Sequence, residues 1–412
     1  MTRRVVITGM AGLTALGHDW QTISNNLRAR HSGVRYMKEW DRYKDLNTRL
    51  AAPVASFELP LQYNRKIMRS MGPVALMSTR ATELALEDAG LLNDPILKSD
   101  RTGIAYGACS GSADAVVAFG RMAITGSMRG ITSSTYIQMM SHTSAVNISL
   151  YFGITGRIIP TSSACTSGSQ AIGFAFENLK HGRQSIMIAG GAEELSIGPS
   201  AVFDTLFATS TRNDAPHETP RPFDRDRDGL VVGEGAATLI LEEMNHARNR
   251  GAHIYAEVVG FGCNTDGSHI TQPRMETMAI VMQQALDDAG LSSEAIGYIN
   301  AHGTATDRGD VAESFATHNV FGGRVPISSL KSYFGHTLGA CGSLEAWLSI
   351  EMMRENWFAP TIHLDHPDPA CAELDYLMSN GRSLETEYIM SNNFAFGGIN
   401  TSLIFKRWEN PC

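Results

Sequence analysis

Hydrophobic positions follow two alternating periods along the chain. Short apolar runs of strand length alternate with longer segments whose apolar residues recur every three or four positions, as on one face of a helix. One helical segment has an internal copy, since "ALEDAGL" at 85–91 returns as "ALDDAGL" at 285–291. Both copies contain a glycine, Gly90 or Gly290, of the kind that commonly ends a helix. The pattern predicts alternating strands and helices in two copies of one unit.

The strands around this copied helix end also correspond between the two halves of the chain. The matching pairs are "RVVITGMAG" at 4–12 with "YAEVVGFGC" at 255–263, and "TGIAYGACSG" at 102–111 with "IGYINAHGTA" at 296–305. Three correspondences in the same order predict two related α/β units, residues 1–252 and 253–412. Alternating strands and helices favour largely parallel sheets that helices cover on both sides.

Composition narrows the class of protein. The 412 residues are 43% hydrophobic, which supports a sizeable core, and the net charge of −8 argues against a nucleic-acid-binding protein. No apolar run approaches the roughly 18 residues of a membrane span. The first apolar run is interrupted by Thr8, Gly9 and Gly12, which predicts a buried strand rather than a secretion signal. Six scattered cysteines without a CxxC pair are typical of a reduced, cytoplasmic enzyme.

One cysteine has surroundings that are unusual for a buried structural residue. Cys165 lies within "SSACTSGSQ" at 162–170, among small polar residues and directly before a segment with helical spacing. The N-terminal end of a helix offers a positive dipole and unpaired backbone amides, which favour a thiolate and a developing oxyanion. Taken alone, the stretch is equally typical of a small buried residue in a tight turn.

Candidate partners for this cysteine lie in the second half of the chain. Of thirteen histidines, His302 in "NAHGTATDRGD" and His336 in "KSYFGHTLGACGSLE" each follow an apolar strand and have glycine beside them. A single histidine in such a place is usually a structural, hydrogen-bonded residue, but two in matched contexts indicate a site. Lys331 would supply positive charge there, and Glu345 on the next helix would hold the lysine or orient the site.

Five separated motifs, in order along nearly the whole chain, together resemble the β-ketoacyl-[acyl-carrier-protein] synthases of the elongating Cys–His–His type. They are "SSACTSGSQ", "STRND" followed by "RPFDRDRDGLVVGEGA", "NAHGTATDRGD", "SSLKSYFGHTLGACGSLE" and "SNNFAFGGINTSLIF". The resemblance implies an α/β thiolase-like fold, in which two pseudo-repeated halves form a five-layered αβαβα sandwich. This agrees with the internal repeat.

The resemblance also implies roles for particular residues. Cys165 would accept the acyl group, and His302 and His336 would serve decarboxylation and condensation, with Lys331 and Glu345 as supporting charged residues. The other implied residues are the backbone amides of Cys165 and Phe396 as an oxyanion hole, Phe396 as a gate, Thr304 and Thr306 at the pantetheine arm, Ser110 and Phe203 at the acyl pocket, and Arg65, Lys66 and Arg69 as a docking surface for the acidic carrier protein. The two threonines would otherwise stabilise the turn, and the basic cluster is otherwise typical of a solvated helix face.

The reaction that the resemblance implies is a decarboxylative Claisen condensation of an acyl thioester with malonyl-[acyl-carrier protein]. Its products are 3-oxoacyl-[acyl-carrier protein], CO₂ and free carrier protein, in fatty acid or polyketide/polyene chain elongation. No cofactor is implied, since the substrates are carried on phosphopantetheine.

Two alternatives remain: a thiolase acting on coenzyme A esters, and a chain-length-controlling partner subunit of a ketosynthase heterodimer. Thiolases use a second cysteine in a glycine-rich C-terminal context, whereas Cys371 and Cys412 lie outside "NNFAFGGIN". Partner subunits lack the nucleophile, and this chain keeps Cys165 together with both histidines.

Three positions depart from the family pattern. Ser110 stands where a larger apolar residue is common, which leaves the acyl length open. Ala395 replaces the usual glycine before Phe396 and predicts a stiffer gate. Pro160 lies in the strand that pairs across a two-fold dimer in the family, and proline cannot donate a ladder hydrogen bond. The expected partners are acyl-carrier protein and either a second copy of this chain or a homologous ketosynthase-like subunit.

Two segments resemble metal sites only in part. An EF-hand loop starting at Asp224 in "DRDRDG" needs glutamate at its twelfth position, which is Gly235. The histidines of "HLDH" at 363–366 lie in a proline-flanked turn that is not part of a larger cluster of ligands. We expect no metal site, no nucleic-acid partner and no membrane span.

Overall fold

The computed structural model of the chain describes residues 2–409. Its strands, in chain order, are β1 (Val5–Leu13), β2 (Arg35–Tyr36), β3 (Leu50–Ala52), β4 (Thr102–Gly107), β5 (Ile158–Thr161), β6 (Ile186–Glu193), β7 (Val232–Gly233), β8 (Gly235–Glu243), β9 (Ala256–Thr265), β10 (Ile296–Asn300), β11 (Pro326–Ser328), β12 (Trp357–Phe358), β13 (Asp375–Tyr376), β14 (Arg382–Ser383), β15 (Tyr388–Phe394) and β16 (Ile399–Arg407). The long strands β1, β6 and β8 are buried along their whole length, so they form the centre of the protein.

The helices alternate with these strands, as the sequence pattern predicts. They are α1 (Trp20–Arg28), α2 (Pro73–Asp88), α3 (Ala113–Thr125), α4 (Ser133–Met139), α5 (Thr143–Phe152), α6 (Ser167–Lys180), α7 (Ile197–Thr205), α8 (Met244–Asn249), α9 (Met275–Ala289), α10 (Asp307–Phe321), α11 (Lys331–Phe334) and α12 (Cys341–Arg354). Of the helices described, none combines the length and the apolar character needed to cross a membrane.

Most of the long strands belong to one sheet, in the order β13-β11-β10-β15-β16-β9-β1-β8-β6-β4-β5. The order is repeated on the two sides of the β9–β1 junction, because β1, β8, β6, β4 and β5 correspond to β9, β16, β15, β10 and β11. The two strands that open the halves pair antiparallel with each other, with Val5 opposite Val258 and Ile7 opposite Ala256. The repeat seen in the sequence therefore corresponds to two halves of the sheet with the same order of strands.

The prediction of largely parallel sheets is wrong for the centre of this sheet. β8 pairs antiparallel with β1 and β6, and β16 pairs antiparallel with β9 and β15. Parallel pairing joins β6, β4 and β5 on one side of the sheet and β15, β10, β11 and β13 on the other. Strands covered on both faces have continuous apolar runs whichever way they point, so the sequence pattern records their burial and not their direction.

Helices cover both faces of the sheet and fill the space between its halves. α2 packs on β1, β8 and β6, and α9 packs on β9 and β16, so these two helices form the outer layers. α6 and α12 contact each other and strands of both halves, which makes them the central layer. The expected thiolase-like α/β fold is confirmed, with helix and sheet layers alternating as helix, sheet, helix, sheet, helix.

The copied sequence segments end equivalent outer helices. "ALEDAGL" closes α2 and "ALDDAGL" closes α9. The glycines within them, Gly90 and Gly290, both have a left-handed φ of 66°. Glycine adopts this conformation without the steric penalty that a Cβ brings, so both helices stop where the sequence predicts.

Candidate active site

Cys165 lies where the chain turns sharply from a strand into a helix. The chain leaves β5, passes through a 3₁₀ turn at Ala164–Thr166 and enters α6. Ala164 has a left-handed φ of 51°, which costs an alanine about 1 kcal/mol and is a kind of strain that is concentrated at functional sites. The hydroxyl of Ser167 donates to the carbonyl of Ala164 at 2.7 Å, which fixes the turn from the helix side. Cys165 itself is buried.

Two imidazoles face this sulfur. Nε2 of His336 lies 3.0 Å from Sγ of Cys165, and the ring centroids of His302 and His336 are 5.1 Å apart. The sulfur and one nitrogen of each ring all lie within 4.8 Å of one another. His302 directly follows β10, whereas His336 follows the short helix α11, which the sequence pattern did not indicate. The structure thus brings together one cysteine of the first half and two histidines of the second.

The hydrogen-bond partners of His336 define which nitrogen carries its proton. The backbone N–H of Leu338 donates to Nδ1 of His336 at 3.3 Å, so Nδ1 is an acceptor. In the neutral imidazole the proton is then on Nε2, which donates toward Sγ of Cys165. Nδ1 of His302 is buried without a hydrogen-bond partner among the described residues. The Nε2–H of His336 can also donate to the oxygen of a thioester on Cys165.

Both imidazoles are neutral because of burial and a nearby fixed charge. Burial lowers the pKa of His302 and of His336 well below the usual 6.5, and the charge of Lys331 lowers both further. Burial also opposes the charge of Lys331, but the adjacent carboxylate of Glu345 outweighs it and raises the pKa of the lysine. The two form a buried ion pair, and Glu345 accepts a second hydrogen bond from Nδ2 of Asn393 at 2.7 Å. The ion pair with Glu345 therefore favours the charged form of Lys331 beside the two imidazoles.

The thiol of Cys165 is a weak acid in these surroundings. Burial raises its pKa to about 11, against the lowering effect of the backbone N–H groups of Phe396 and Cys165 and of the charge of Lys331. The backbone amides at the helix end favour the anion, as expected from the sequence, but burial opposes it more strongly. The two backbone amides that face the sulfur belong to the residues predicted to form an oxyanion hole.

Two buried carboxyl groups of α10 fix the loop that carries His302. Glu313 accepts the backbone N–H groups of His302 and Gly303, each at 2.7 Å. Asp310 accepts those of the next two residues at 3.0 and 3.1 Å. Burial raises the pKa of Glu313 to about 8 and that of Asp310 to about 6. Sequence reasoning missed both. A usable signal is that the two acids lie three residues apart, about one helical turn, in the segment that follows "NAHGTAT".

A cavity of about 600 Å³ contains this cluster. Cys165, His302 and His336 line it, together with Thr304 and Thr306. The Oγ1 atoms of the two threonines are 2.9 Å apart, so the predicted pantetheine residues form one polar patch beside the imidazoles. The cavity extends to exposed side chains, which gives a substrate a route from the surface.

Phe396 lies in the turn between β15 and β16 and also lines the cavity. Its ring packs edge to face against that of Phe203, with 5.9 Å between centroids. The left-handed residues of this turn are Gly397 and Gly398, with φ of 93° and 78°, and Ala395 is not one of them. The backbone freedom of the turn therefore depends on the two glycines, and the Cβ of Ala395 fits without strain.

Six of the predicted site residues lie outside the lining of this cavity: the buried pair Lys331 and Glu345, and four exposed residues. Ser110 is exposed on the described chain, and its hydroxyl donates to the carbonyl of the next residue at 3.1 Å. Arg65, Lys66 and Arg69 are exposed in and before the 3₁₀ turn Met68–Ser70 rather than on a long helix. All four side chains are accessible to a partner, and their roles stay predictions.

A second cysteine, which sequence reasoning missed, approaches the candidate nucleophile. Sγ of Cys341, the first residue of α12, donates to the backbone carbonyl of Cys165 at 3.1 Å. Burial and the carboxylate of Glu345 raise the pKa of Cys341 well above its usual value, and its side chain is not part of the described cavity lining. Cys371 packs in a separate part of the core, and Cys412 lies outside the described residues.

The two segments considered as metal sites are held by protein contacts. The buried carboxylate of Asp224 accepts the backbone N–H groups of Asp365 and His366, both at 2.8 Å, and pairs with Arg221 at 3.2 Å. Nδ1 of His363 lies 3.1 Å from a backbone carbonyl oxygen. These side chains join the long polar loop 209–229 to the turn at 363–366.

A thiolase-like fold with a cysteine buried between two neutral imidazoles defines a condensing enzyme that transfers acyl groups. Two family models match the chain: Beta-ketoacyl synthase, N-terminal domain over residues 2–247, and Beta-ketoacyl synthase, C-terminal domain over residues 255–365. The chain belongs to the β-ketoacyl synthase family. The family expected from the sequence motifs is thereby confirmed.

Known relatives match over nearly the whole chain. The 3-oxoacyl-[acyl-carrier-protein] synthase 2 of Vibrio cholerae serotype O1 is 39% identical, over 98% of this chain and 99% of its own. The crystal structure of a β-ketoacyl synthase from Burkholderia phymatum STM815 is 62% identical, with a TM-score of 0.97 over 99% of this chain and 100% of that one.

Two structures from multi-protein systems are also similar. The ishigamide ketosynthase/chain length factor is 28% identical, with a TM-score of 0.90 over 99% of this chain and 100% of that one. The complex AntDE:AntF holds a type II PKS acyl-carrier protein with its ketosynthase bound to the hexaketide, and matches with 29% identity and a TM-score of 0.86 over 99% of this chain and 100% of that one.

Proposed function

We propose that this chain condenses an acyl thioester with malonyl-[acyl-carrier protein] to give 3-oxoacyl-[acyl-carrier protein], CO₂ and free carrier protein. The proposal depends on one observation: Cys165, His302 and His336 line one cavity, and the sulfur and one nitrogen of each ring lie within 4.8 Å of one another. The relatives named as 3-oxoacyl-[acyl-carrier-protein] synthases support it. The pathway is fatty acid or polyketide/polyene chain elongation.

The first step is transfer of the acyl group to Cys165. Its sulfur attacks the thioester carbonyl, the carbon–sulfur bond to the pantetheine breaks, and the thiol proton goes to the departing pantetheine sulfur. The backbone N–H groups of Cys165 and Phe396 would hold the negative oxygen of the tetrahedral intermediate. The positive charge of Lys331 favours the developing thiolate, which offsets part of the cost of burial.

The second step is decarboxylation and condensation. The carbon–carbon bond to the malonyl carboxylate breaks and CO₂ leaves. The enolate carbon then bonds to the acyl carbon, the bond between that carbon and Sγ of Cys165 breaks, and the released thiolate takes a proton from water. The Nε2–H of His336 and the ring of His302 would donate to the enolate oxygen, an effect worth about 3 kcal/mol for each donor. Neutral imidazoles suit this role, because they stabilise the enolate without fully protonating it.

Recognition of the carrier requires contacts along the arm. Thr304 and Thr306 would bond the pantetheine, and Phe203 and Ser110 would lie beside the acyl chain. The basic cluster at Arg65, Lys66 and Arg69 would meet the acidic carrier protein. The substrates bring their own phosphopantetheine, so the proposed reaction needs no further cofactor.

The proposed assembly is a dimer in the cytoplasm, with either a second copy of this chain or a homologous ketosynthase-like subunit. The similarity to the ishigamide ketosynthase/chain length factor supports the second form. We take residues 1–252 as the half that carries the nucleophile and 253–412 as the half that carries both histidines. A thiolase is disfavoured because Cys341 lies outside the cavity lining, and a chain-length subunit because Cys165 is present.

Two substitutions of the nucleophile test this function. Cys165→Ala is expected to lower acyl transfer and condensation at least about a thousandfold, because both need a covalent acyl-enzyme. Cys165→Gln should stop elongation but still release CO₂ from malonyl-[acyl-carrier protein]. Cys263→Ala serves as the control, since that thiol lies on β9 outside the cavity lining. Normal elongation by the alanine variant would refute the proposal.

A further inference from the structure

Phe223 is a fully buried aromatic residue with an unfavourable backbone conformation. It lies in the long polar loop 209–229, its side chain is 0% exposed, and its φ of 65° is left-handed. The Cβ makes this conformation costly, most of all for a bulky residue. Glycine would adopt the same backbone without that cost, but it would lack the ring. Strained residues of this kind persist only where their surroundings determine them, and they are concentrated at functional sites.

Both the ring and the backbone of Phe223 contact the loop that carries His302. Cε2 of Phe223 lies so close to Gly303, the residue after His302, that a Cβ on this glycine would be only 2.9 Å from it. The backbone N–H of Phe223 donates to Oδ2 of Asp310 at 2.7 Å. Oδ1 of the same carboxylate accepts the next two N–H groups of the His302 loop, at 3.0 and 3.1 Å. One buried carboxylate therefore joins the backbone of Phe223 to this loop.

The other side of Phe223 is fixed by segments outside the active site. Its ring packs on that of Tyr376 in β13, with 5.1 Å between centroids and 37° between planes. Its backbone carbonyl accepts the N–H of Asp368 at 2.9 Å. Phe223 thus lies between these supports and the His302 loop, so the position of the loop depends on the ring.

Phe223 does not belong to the cavity itself. It is not among the described residues that line the cavity, whereas His302 is. Nδ1 of His302 has no hydrogen-bond partner among the described residues, so no side-chain hydrogen bond through this atom orients the ring. The direction of the imidazole then depends on packing and on the backbone at Gly303. An effect of Phe223 on the substrate must pass through this backbone.

We propose that Phe223 is a positioning residue: its ring and backbone N–H hold the loop at Gly303 in place, so that the imidazole of His302 faces the thioester oxygen. The inference rests on the proposed function. In that function His302 acts in decarboxylation and condensation, whereas transfer of the acyl group to Cys165 uses backbone amides and the charge of Lys331. A change at Phe223 should therefore slow the second step and spare the first.

The test measures the two steps separately in Phe223→Leu, which keeps an apolar side chain but loses the ring edge at Gly303. Mass spectrometry after rapid mixing with an acyl-[acyl-carrier protein] gives the rate of acyl transfer. Release of CO₂ from malonyl-[acyl-carrier protein] by the acylated protein gives the second step. We expect kcat for CO₂ release to fall about tenfold, because a displaced donor stabilises the transition state less well. KM for malonyl-[acyl-carrier protein] and the rate of acyl transfer should stay within about twofold of wild type.

Phe405→Leu is the matched control. Phe405 is also 0% exposed, but it lies on β16 and outside the described cavity lining. Its melting temperature should fall by a similar amount, while both steps stay unchanged. If Phe223→Leu does not fold, Tyr376→Leu takes its place, because it removes the support behind the ring. It should give the same selective loss of CO₂ release.

The remaining outcomes overturn the inference. Equal losses in both steps, or an equal loss of CO₂ release in Phe405→Leu, would show that Phe223 contributes only to stability. Unchanged CO₂ release in Phe223→Leu would show that the ring does not position His302. In each of these cases a wild-type protein that condenses its substrates still supports the proposed function. Wild-type protein that neither takes up an acyl group nor releases CO₂ refutes the function, and the inference with it.

Discussion

Cys165 is protonated at rest, and the groups around it act when its sulfur or a thioester oxygen becomes negative. The Nε2–H of His336, the backbone amides of Cys165 and Phe396, and the charge of Lys331 all favour negative charge at this point. Burial opposes the free thiolate, because an anion loses its water there. Because water is excluded from the site, each hydrogen bond from these donors to a transient oxyanion is stronger than it would be in water.

The high pKa of Cys165 gives a direct pH prediction. Only the thiolate reacts with iodoacetamide, so alkylation of Cys165 should accelerate about tenfold for each pH unit between about pH 7 and 10. Peptide mapping measures the reaction at this cysteine alone. A rate that levels off near pH 8 would show an activated thiolate and contradict the pKa of about 11. Cys263→Ser, outside the cavity lining, should leave the profile unchanged.

The sequence predicted which residues form the site better than it predicted any other feature. It did not predict their protonation states. Motifs around Cys165, His302 and His336 indicated the three side chains before any geometry was known. The sequence did not indicate the tautomer of His336, because the amide that fixes it belongs to Leu338 and acts through backbone geometry. The sequence indicated that the helix end favours a thiolate, but it did not indicate that burial opposes the anion more strongly.

Among the elements, the turn between β15 and β16 is the one that we expect to move. Phe396 packs on Phe203 and presents its amide to Cys165, while Gly397 and Gly398 provide the left-handed backbone. A Cβ at Gly397 would meet no atom within 4 Å, so a substitution there acts on the backbone and not on packing. The turn can therefore be tested separately from the pocket.

Gly397→Ala is expected to slow transfer of the acyl group to Cys165 about tenfold, because alanine restricts the backbone conformations that the turn can visit. Stopped-flow measurement of acyl transfer checks this. Gly251→Ala is the matched control: Gly251 also has a left-handed φ, of 69°, and open space around its Cβ position, but it lies after α8 away from the cavity. Both variants should lose similar stability, about 1 kcal/mol. Equal acylation rates in the two would show that the turn is not a gate.

The elements themselves were predictable where local patterns determine them. The copied helix ends, the strands β1 and β9, and the helix after Cys165 are present where the apolar periodicity places them. α11 was missed because four residues carry too little periodicity, and the antiparallel direction of β8 and β16 depends on long-range pairing. Glu313 and Asp310 act through the backbone of a loop, a role that residue type alone does not reveal.

At the scale of the whole molecule, the repeat explains why the site lies between the halves. The first half supplies Cys165 in the turn between β5 and α6, and the second supplies His302 after β10 and His336 after α11. Pairing of β1 with β9 and packing of α6 on α12 fix the halves against each other. Neither half carries the complete set of side chains.

One edge of the sheet bears on the proposed assembly. β5 is the last strand of the sheet, and within it the exposed Pro160 lies opposite Tyr106 of β4. Proline offers no N–H to a strand added at this edge, so a partner cannot form an uninterrupted ladder across it. The exposed Ser110 follows β4, the neighbouring strand, so it lies near this edge of the sheet.

The central claim is that an acyl group passes through Cys165. The most direct measurement is intact-protein and peptide mass spectrometry after incubation with an acyl-[acyl-carrier protein] in the absence of malonyl substrate. The account predicts one added acyl mass per chain, located on the peptide that contains Cys165 and released when malonyl-[acyl-carrier protein] is added. An unmodified protein, or an acyl group on Cys109 or Cys341 instead, would contradict it.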